Sequence, residues 1–262
     1  MKLTIYHVDT FTHRIFGGNT AAVVPLDEWM PDPLLLNIAA ENNLVGTAFF
    51  VPIETGYHIR WFSPVAEMGL CGHATLAAAY VIFNIQNNKE KMILFQSRAG
   101  DLFVDHKEDW LTLNVAIDHY QVAVPPPALV ESLQSIDIIG VYKGKTDYMV
   151  VLDTEDDVRN LQMDMILLST IPARGIIFTA PGNEVDFVSR FFAPQSGIDE
   201  DHATGSTHTT LISYWADRLS KKQLTAIQVS RREGYLKCGL DGERANIGGQ
   251  ARLYLRGEIN TE

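Results

Sequence analysis

Arg60-Trp-Phe-Ser-Pro64 and Arg190-Phe-Phe-Ala-Pro194 are near-copies of one short stretch, 130 residues apart in a chain of 262 residues. The likeness continues upstream, where Gly46-Thr-Ala-Phe-Phe-Val-Pro52 resembles Gly175-Ile-Ile-Phe-Thr-Ala-Pro181. Self-similarity with a period of half the chain indicates a duplicated unit. The sequence therefore predicts two similar lobes.

The length of the chain agrees with a division into two lobes, because a single core tends to split near this size. The run Val124-Pro-Pro-Pro127 marks the boundary, since proline cannot donate to a strand ladder. We expect an N-terminal lobe over residues 1–123 and a C-terminal lobe over residues 124–262. Ligands often bind where two such lobes meet, so we expect the functional site in the cleft between them.

Each lobe combines many short strands with one apolar helix that opens at a glycine, Gly72 or Gly205. The segment after Gly72 is apolar on nearly all sides, so the helix must be surrounded. A mixed, largely antiparallel sheet rolled around a central helix meets this need, which predicts an α+β fold. Asp32-Pro33 predicts a further helix from Leu34 to Asn42, with Asp32 as its N-cap. Strands are predicted near Leu3, Ala21, Thr47, Tyr57, Met92, Leu102 and Leu111, and near Ile139, Tyr148, Ile176, Phe187, Ile227, Leu236, Ala245 and Leu253.

The composition excludes several classes of function. With a net charge of −11 and no long basic stripe, the chain is not expected to bind nucleic acid. Its longest uncharged run, residues 68–88, is interrupted by polar residues and predicts a buried helix, not a membrane span. Two cysteines without metal-ligand spacing indicate a reducing compartment, and we expect a cytoplasmic protein.

The two glycine turns carry the candidate chemistry. Backbone N–H groups after Gly72 and Gly205 would suit a small anion such as a carboxylate, although each glycine would equally serve a tight turn alone. Beside a helix N-terminus, His73 would stay neutral and could exchange hydrogen bonds with a substrate, or it could be a packed histidine. Asp201 could carry a proton or act as a helix cap. Ser206 could orient the substrate or simply occupy the first helical turn.

A metal site is the weaker interpretation of the same region. His202 and His208 flank Gly205, but they lack the i, i+4 spacing that places two ligands on one helix face. We therefore expect no metal.

Several separated motifs, in the same order, resemble the PhzF-like isomerase family of phenazine biosynthesis, and the resemblance covers almost the whole chain. The matching residues are Phe11-Thr12, Gly18-Asn19, Asn43-Leu44, Thr47-Ala48-Phe49, Trp61-Phe62-Ser63-Pro64, Glu67, Leu70-Cys71-Gly72-His73-Ala74-Thr75, Glu200-Asp201 and Thr204-Gly205-Ser206.

This resemblance implies a diaminopimelate-epimerase-like fold and a cofactor-free, metal-free isomerase that is commonly a homodimer. The best-known member moves a proton between ring carbons of a dihydro-hydroxyanthranilate. By motif position, the catalytic residues would be Asp201, His73 and Ser206. The implied substrate-binding positions are Gly72, Gly205, Asn19 and Thr207.

One departure from the family pattern bears directly on catalysis. Where the family has the glutamate of Asn-Leu-Ser-Glu-Thr-Ala-Phe, its principal base, this chain has Gly46. Loss of a general base costs about a hundred- to ten-thousand-fold in rate. The nearby carboxylates in sequence are Glu41 and Glu67, and neither is placed by the sequence at the substrate. Smaller departures are His202 and Thr20 in place of proline, and Thr207 in place of alanine.

Three hypotheses follow for function. The first is a PhzF-like isomerase or epimerase that acts on a small carboxylate, with Asp201 as the proton carrier and Gly46 marking the missing base. The second is a binding protein for small carboxylates without chemistry. The third is a racemase that uses two thiols, Cys71 at a helix N-terminus and Cys238 in a strand.

Overall fold

The computed structural model describes residues 1–133 and 136–261, which form two compact units. Unit 1 comprises Met1–Val115 together with Asn246–Glu262, and unit 2 comprises Ala116–Ala245. Strands dominate both units, so the α+β fold class is confirmed. Among the described helices, none combines the length and apolar character needed to cross a membrane.

Unit 1 is a mixed sheet with two helices. Its elements are β1 (Lys2–Thr10), β2 (Asn19–Pro25), α1 (Asp32–Asn42), β3 (Gly46–Ile53), β4 (Gly56–Phe62), β5 (Glu67–Met68), α2 (Gly72–Tyr80), β6 (Met92–Ser97), β7 (Gly100–Lys107), β8 (Trp110–Ala116) and, from the end of the chain, β18 (Ala251–Asn260). A π-helical turn, Val81–Ile85, extends α2.

Unit 2 repeats this plan with additional short helices. Its elements are β9 (Gln121–Val122), α3 (Pro127–Leu133), β10 (Ile138–Lys143), β11 (Asp147–Leu152), α4 (Glu155–Arg159), α5 (Met165–Ser169), β12 (Gly175–Pro181), β13 (Phe187–Ala193), β14 (Ile198–Asp201), α6 (His208–Leu219), β15 (Gln223–Gln228) and β16 (Gly234–Asp241). The strand β17 (Arg244–Gly249) spans the boundary between the units.

Strand pairing within each unit bears out the duplication. In unit 1, β3 pairs parallel with β2 and antiparallel with β4, and β4 pairs antiparallel with β5 and parallel with β6. In unit 2, β12 pairs parallel with β11 and antiparallel with β13, and β13 pairs antiparallel with β14 and parallel with β15. The copied sequence stretches therefore occupy equivalent strands of one repeated topology.

The helix α2 forms the centre of unit 1, as its all-round apolar sequence predicts. Residues from His73 to Ala79 are buried, and four small alanines among them allow β1, β2 and β3 to pack closely around the helix. In unit 2, α6 is buried from His208 to Ala216 and packs against β15 and β16. Each helix begins close to its glycine turn, which fixes that turn at the edge of a rigid core.

The predicted strands are all present, and three details differ from expectation. The helix α6 starts at His208, so Gly205 lies in a turn before the helix and does not open it. Asp32 is the first residue of α1 and makes no capping bond, because its carboxylate accepts a hydrogen bond from Arg60 instead.

The third difference concerns the expected division at residues 123 and 124. The structure divides the chain near Ala116 and returns residues 246–262 to unit 1. The reason is strand pairing: β18 runs antiparallel to β1 along nearly its whole length, from Lys2 opposite Asn260 to Thr10 opposite Ala251. The first lobe is therefore discontinuous in sequence.

Candidate functional site

Three of the residues singled out in unit 1 lie together at the start of α2. The Cys71 Sγ atom lies 3.5 Å from Nδ1 of His73 and 3.9 Å from its Nε2, and both side chains are buried. Gly46, the first residue of β3, is adjacent to this pair. The structure thus brings a thiol and an imidazole to the position at which the family glutamate is missing.

The space beside Gly46 is already filled. A Cβ atom at this position would lie 2.8 Å from Cys71 Sγ and 3.2 Å from His73 Nε2. Such distances are shorter than van der Waals contact, so a larger residue requires Cys71 to move. A side chain at position 46 would also point directly at the thiol and imidazole.

Two glutamates are candidates to substitute for the base that the family resemblance implies, and the structure shows the surroundings of both. Arg60 donates from Nε and Nη2 to the two carboxylate oxygens of Glu67, at 2.7 and 2.9 Å, and Arg98 donates to one of them at 2.8 Å. These hydrogen bonds from Arg60 lower the pKa of Glu67, which keeps it ionised and held. Glu41 is an exposed residue of α1, where it lines a surface pocket with Asn37.

In unit 2, Asp201 is the last residue of β14 and its side chain is buried. The Thr204 hydroxyl donates to its Oδ2 at 2.5 Å. Gln228, also buried, donates to the Asp201 carbonyl oxygen at 2.7 Å and accepts from the Thr204 N–H at 2.8 Å. A buried amide therefore fixes the backbone on both sides of the turn that follows the carboxylate.

Ser206 accepts a hydrogen bond from Arg174, which forms an ion pair with Asp147 that the sequence did not predict. Arg174 donates from Nη1 to Ser206 Oγ at 2.9 Å and from Nε to Asp147 Oδ1 at 2.8 Å, and its Nη2 contacts the other Asp147 oxygen. Its guanidinium lies 5.2 Å from the centre of the Phe191 ring. Burial would lower the pKa of Arg174, but hydrogen bonds and charge from Asp147 outweigh it and raise this pKa.

The turn around Gly205 is stabilised from within. Thr207 Oγ1 donates to the Thr204 carbonyl oxygen at 2.8 Å, and His208 Nδ1 lies 2.8 Å from the same oxygen. The hydroxyl of Thr207, expected to bind substrate, is therefore used inside the turn. Gly72, in contrast, is the first residue of α2, as expected.

Asn19, the other expected substrate-binding residue, begins β2 and is buried. Its carbonyl oxygen accepts a hydrogen bond from the Thr10 hydroxyl at 2.9 Å, and the two residues are opposite each other in the β1–β2 ladder. This places Asn19 at the end of a strand of unit 1.

Cys238 does not suit a catalytic thiol. It lies in the middle of β16 with no exposed surface, and burial raises its pKa well above the ordinary value. His208 is likewise fully buried. Over residues 1–133 and 136–261, no group of three or more His, Cys, Asp or Glu side chains is arranged to hold a metal ion.

The residues missed by the sequence analysis are Arg174, Asp147 and Gln228. One signal for Arg174 was available, since it directly precedes Gly175, the repeat equivalent of Gly46. A Cβ at Gly175 would lie 2.5 Å from the Phe191 ring, so this glycine lets the ring lie where Arg174 stacks on it. Gln228 gave no such signal, because its role depends on the pairing of β13 with β15.

The chain resembles known proteins along nearly its whole length. Residues 8–258 match the sequence model of the family described as "Phenazine biosynthesis-like protein", PhzC-PhzF. A protein of Pseudomonas aeruginosa described as an uncharacterized isomerase is 44% identical over 259 residues, covering 99% of both chains. The crystal structure of a PhzF-family protein from Enterococcus faecalis has a TM-score of 0.95 at 41% identity, covering 99% of this chain and 100% of that chain.

A more distant likeness concerns the fold alone. The structure of a hydroxyproline epimerase from Agrobacterium vitis has a TM-score of 0.63 at 10% identity, covering 98% of this chain and 92% of that chain. The epimerase-like architecture predicted from the sequence is therefore confirmed.

Proposed function

Because the chain belongs to the phenazine biosynthesis-like PhzC-PhzF family, we propose that it is an isomerase or epimerase that moves a proton on a small carboxylate without a cofactor. The substrate class is a compound like dihydro-hydroxyanthranilate. Asp201 carries the proton, and His73 and Ser206 orient the substrate. The observation that supports this proposal most directly is the buried Asp201 carboxylate at the end of β14, which accepts a hydrogen bond from the Thr204 hydroxyl, while Gln228 donates to the Asp201 backbone carbonyl oxygen.

The chemistry needs a group that accepts a proton from carbon and a group that stabilises the resulting negative charge. A buried carboxylate held by a short hydrogen bond is positioned for the first role. Hydrogen-bond donors around a glycine turn serve the second, because they can hold a carboxylate or enolate oxygen.

Gly46 sets the expected rate. Without the family glutamate, we infer that turnover of a dihydro-hydroxyanthranilate-like substrate is about a hundred- to ten-thousand-fold below that of a member which has it. The activity is therefore weak on this substrate or directed to another carboxylate.

Restoring the glutamate tests this proposal. In the Gly46→Glu variant, the new Cβ would crowd Cys71 Sγ, so the substitution is combined with Cys71→Ala to make room. We expect the Gly46→Glu, Cys71→Ala protein to exchange substrate C–H hydrogen with solvent deuterium at least about tenfold faster than wild type, since a general base is restored.

The matched control is Gly46→Gln with Cys71→Ala, which has the same size but no carboxylate. A gain confined to the glutamate variant supports acid–base isomerisation. Equal exchange in both variants, with Asp201→Asn also unchanged, would contradict it.

A non-catalytic binding protein is the second candidate. Gly46, in place of the glutamate implied by the family resemblance, favours this candidate if the wild type does not exchange substrate hydrogen with solvent. Calorimetry with 3-hydroxyanthranilate separates the two candidates when it is combined with the exchange assay. Binding without exchange identifies the binding protein. The two-thiol racemase loses support because Cys238 is enclosed in the core of unit 2.

We also infer a cytoplasmic protein that assembles as a homodimer. No disulfide joins the two described cysteines, which suits a reducing compartment. The homodimer follows from the family resemblance, and light scattering tests it through a mass of twice 29.2 kDa.

A further inference from the structure

The Ser206 hydroxyl can donate one hydrogen bond and accept others, so its role toward a ligand depends on its neighbours. Its neighbour here is the Arg174 guanidinium, whose Nη1 lies 2.9 Å from Ser206 Oγ. A guanidinium has donors only. Ser206 must therefore accept from Arg174, and its single hydrogen points elsewhere.

Arg174 is itself fixed in this orientation. Asp147, whose side chain is 2% exposed, binds the guanidinium through both carboxylate oxygens. The Phe191 ring supports one face of the guanidinium, and Gly175 leaves room for that ring. Phe191 also lies opposite Asp201 in the β13–β14 ladder. The same packing thus connects Arg174 to both functional residues of unit 2.

We propose that Arg174 is a positioning residue which commits the Ser206 hydroxyl to act as a hydrogen-bond donor toward the substrate. The Ser206 hydrogen then faces an acceptor oxygen of the substrate, such as a carboxylate or enolate oxygen. This inference rests on the proposed function, because it assumes that Ser206 contacts the substrate. It also explains why the site would select carboxylates over neutral analogues, since a hydrogen bond to a charged oxygen is the stronger one.

The variants Arg174→Lys and Arg174→Gln distinguish positioning from general structural support. Lysine has donors only, so Ser206 would still accept from it and keep its hydrogen for the substrate, although lysine fits Asp147 less well. Glutamine can present its carbonyl oxygen to the hydroxyl and so release this constraint. The control is Lys221→Gln, which removes one positive charge from an exposed ion pair with Asp186 in the same unit.

Calorimetry on the full chain would compare 3-hydroxyanthranilate with its carboxamide, after melting temperatures confirm that each variant is folded. We expect the wild type, Lys221→Gln and Arg174→Lys to prefer the carboxylate by about tenfold or more, because a hydrogen bond to a charged group is worth this much. Arg174→Gln should reduce the preference to about threefold or less. In a Ser206→Ala background, Arg174→Gln should cause no further loss, since Arg174 acts through Ser206.

Retention of the full preference in Arg174→Gln, or additive losses in the double variant, would overturn the inference while leaving the proposed function intact. An equal loss in Arg174→Lys and Arg174→Gln would also overturn it, because a donor alone would then not suffice. If the wild type binds neither compound and catalyses no exchange, the proposed function fails and this inference fails with it.

Discussion

Gly46 and Gly175 occupy equivalent positions in the repeat, but different side chains fill the space beside them. Cys71 Sγ lies next to Gly46, and the Phe191 ring lies next to Gly175. At the first position the result is a buried thiol and imidazole, and at the second it is an aromatic support for Arg174. The two units therefore share one backbone arrangement at these glycines but place different side chains beside them.

His208 is a fully buried titratable residue of α6. Its Nδ1 donates to the Thr204 carbonyl oxygen at 2.8 Å, and within the described residues its Nε2 has no hydrogen-bond partner. Burial lowers the pKa of His208 from 6.5 to about 4. The folded protein therefore holds this ring neutral in a pH range in which the unfolded chain would protonate it.

This shift predicts an acid-sensitive contribution to stability. Between pH 6.5 and 4 the unfolded chain binds more protons, so the contribution is complete above pH 6.5 and is lost as the pH falls toward 4. The loss amounts to about 3 kcal/mol in the free energy of unfolding. Urea denaturation at pH 7.0, 5.5 and 4.5 measures it.

The variant His208→Asn is the control, since its amide can still donate to the Thr204 carbonyl but does not titrate. Its free energy of unfolding should fall less than that of wild type over the same range. Parallel curves for the two proteins would show that His208 does not contribute.

At the scale of the element, the copied arginines act in the same way in both units. Arg60 binds both carboxylate oxygens of Glu67, at 2.7 and 2.9 Å, and Arg190 binds both of Glu200, at 2.7 and 3.0 Å. Each guanidinium also lies over the phenylalanine two residues along its strand, Phe62 or Phe192. Each pair fixes the short strand, β5 or β14, that leads to a glycine turn.

We expect loss of one ion pair to loosen only the segment that it holds. In Glu200→Gln, amide hydrogen exchange of residues 198–204 should accelerate by about tenfold or more, because the charged hydrogen bonds to Arg190 are weakened. Residues 67–71 should be unchanged.

The variant Glu67→Gln provides the reciprocal control, since it should affect residues 67–71 and leave residues 198–204 unchanged. Uniform acceleration across both segments in either variant would mean that these ion pairs contribute to global stability and do not position the turns.

The sequence predicted most elements because period-two alternation and turn residues act locally. It missed β5, β9 and β14, since strands of two to four residues carry too short a pattern to detect. It also missed the start of α6, because Thr204-Gly205-Ser206 resembles a helix opening, whereas hydrogen bonds from Thr207 and His208 to the Thr204 carbonyl form a separate turn.

The roles of the candidate site residues stay predictions, and local motifs suggested only some of these residues. Motif positions suggested His73, Asp201 and Ser206 as site residues, because these residues follow or precede a recognisable glycine. Arg174 lies 32 residues before Ser206, and only the folded strands β12 and β13 bring it there. The contact of Cys71 with the space at Gly46 likewise depends on packing between α2 and β3.

At the scale of the whole molecule, β18 joins the two ends of the chain in unit 1. Ile259 packs against the apolar cluster that includes Leu35 and Ile38 of α1. We expect Ile259→Asn to lower the stability of unit 1 by about 2 kcal/mol, because a polar group replaces apolar contacts in a partly buried site. Hydrogen exchange should accelerate in β1 and β18 more than in β12 and β13.

The control is Leu255→Asn, on the same strand but 38% exposed, which should change exchange in β1 much less. Greater acceleration in unit 2 than in unit 1 would contradict the assignment of β18 to unit 1.

The boundary between the lobes was the feature that local sequence patterns described least well. The proline run at 125–127 does follow the end of a strand, but the pairing of β18 with β1 links residues more than 240 positions apart. Such a pairing leaves no local signal, because β18 has the alternation of any other strand.

The late position of β18 in the chain has a consequence for synthesis. The ribosome translates β1 before unit 2 and β18 after it, so unit 2 is complete before β18 emerges to pair with β1. Unit 1 is therefore completed after unit 2, and until β18 pairs with it, one edge of β1 is open to pairing with another chain.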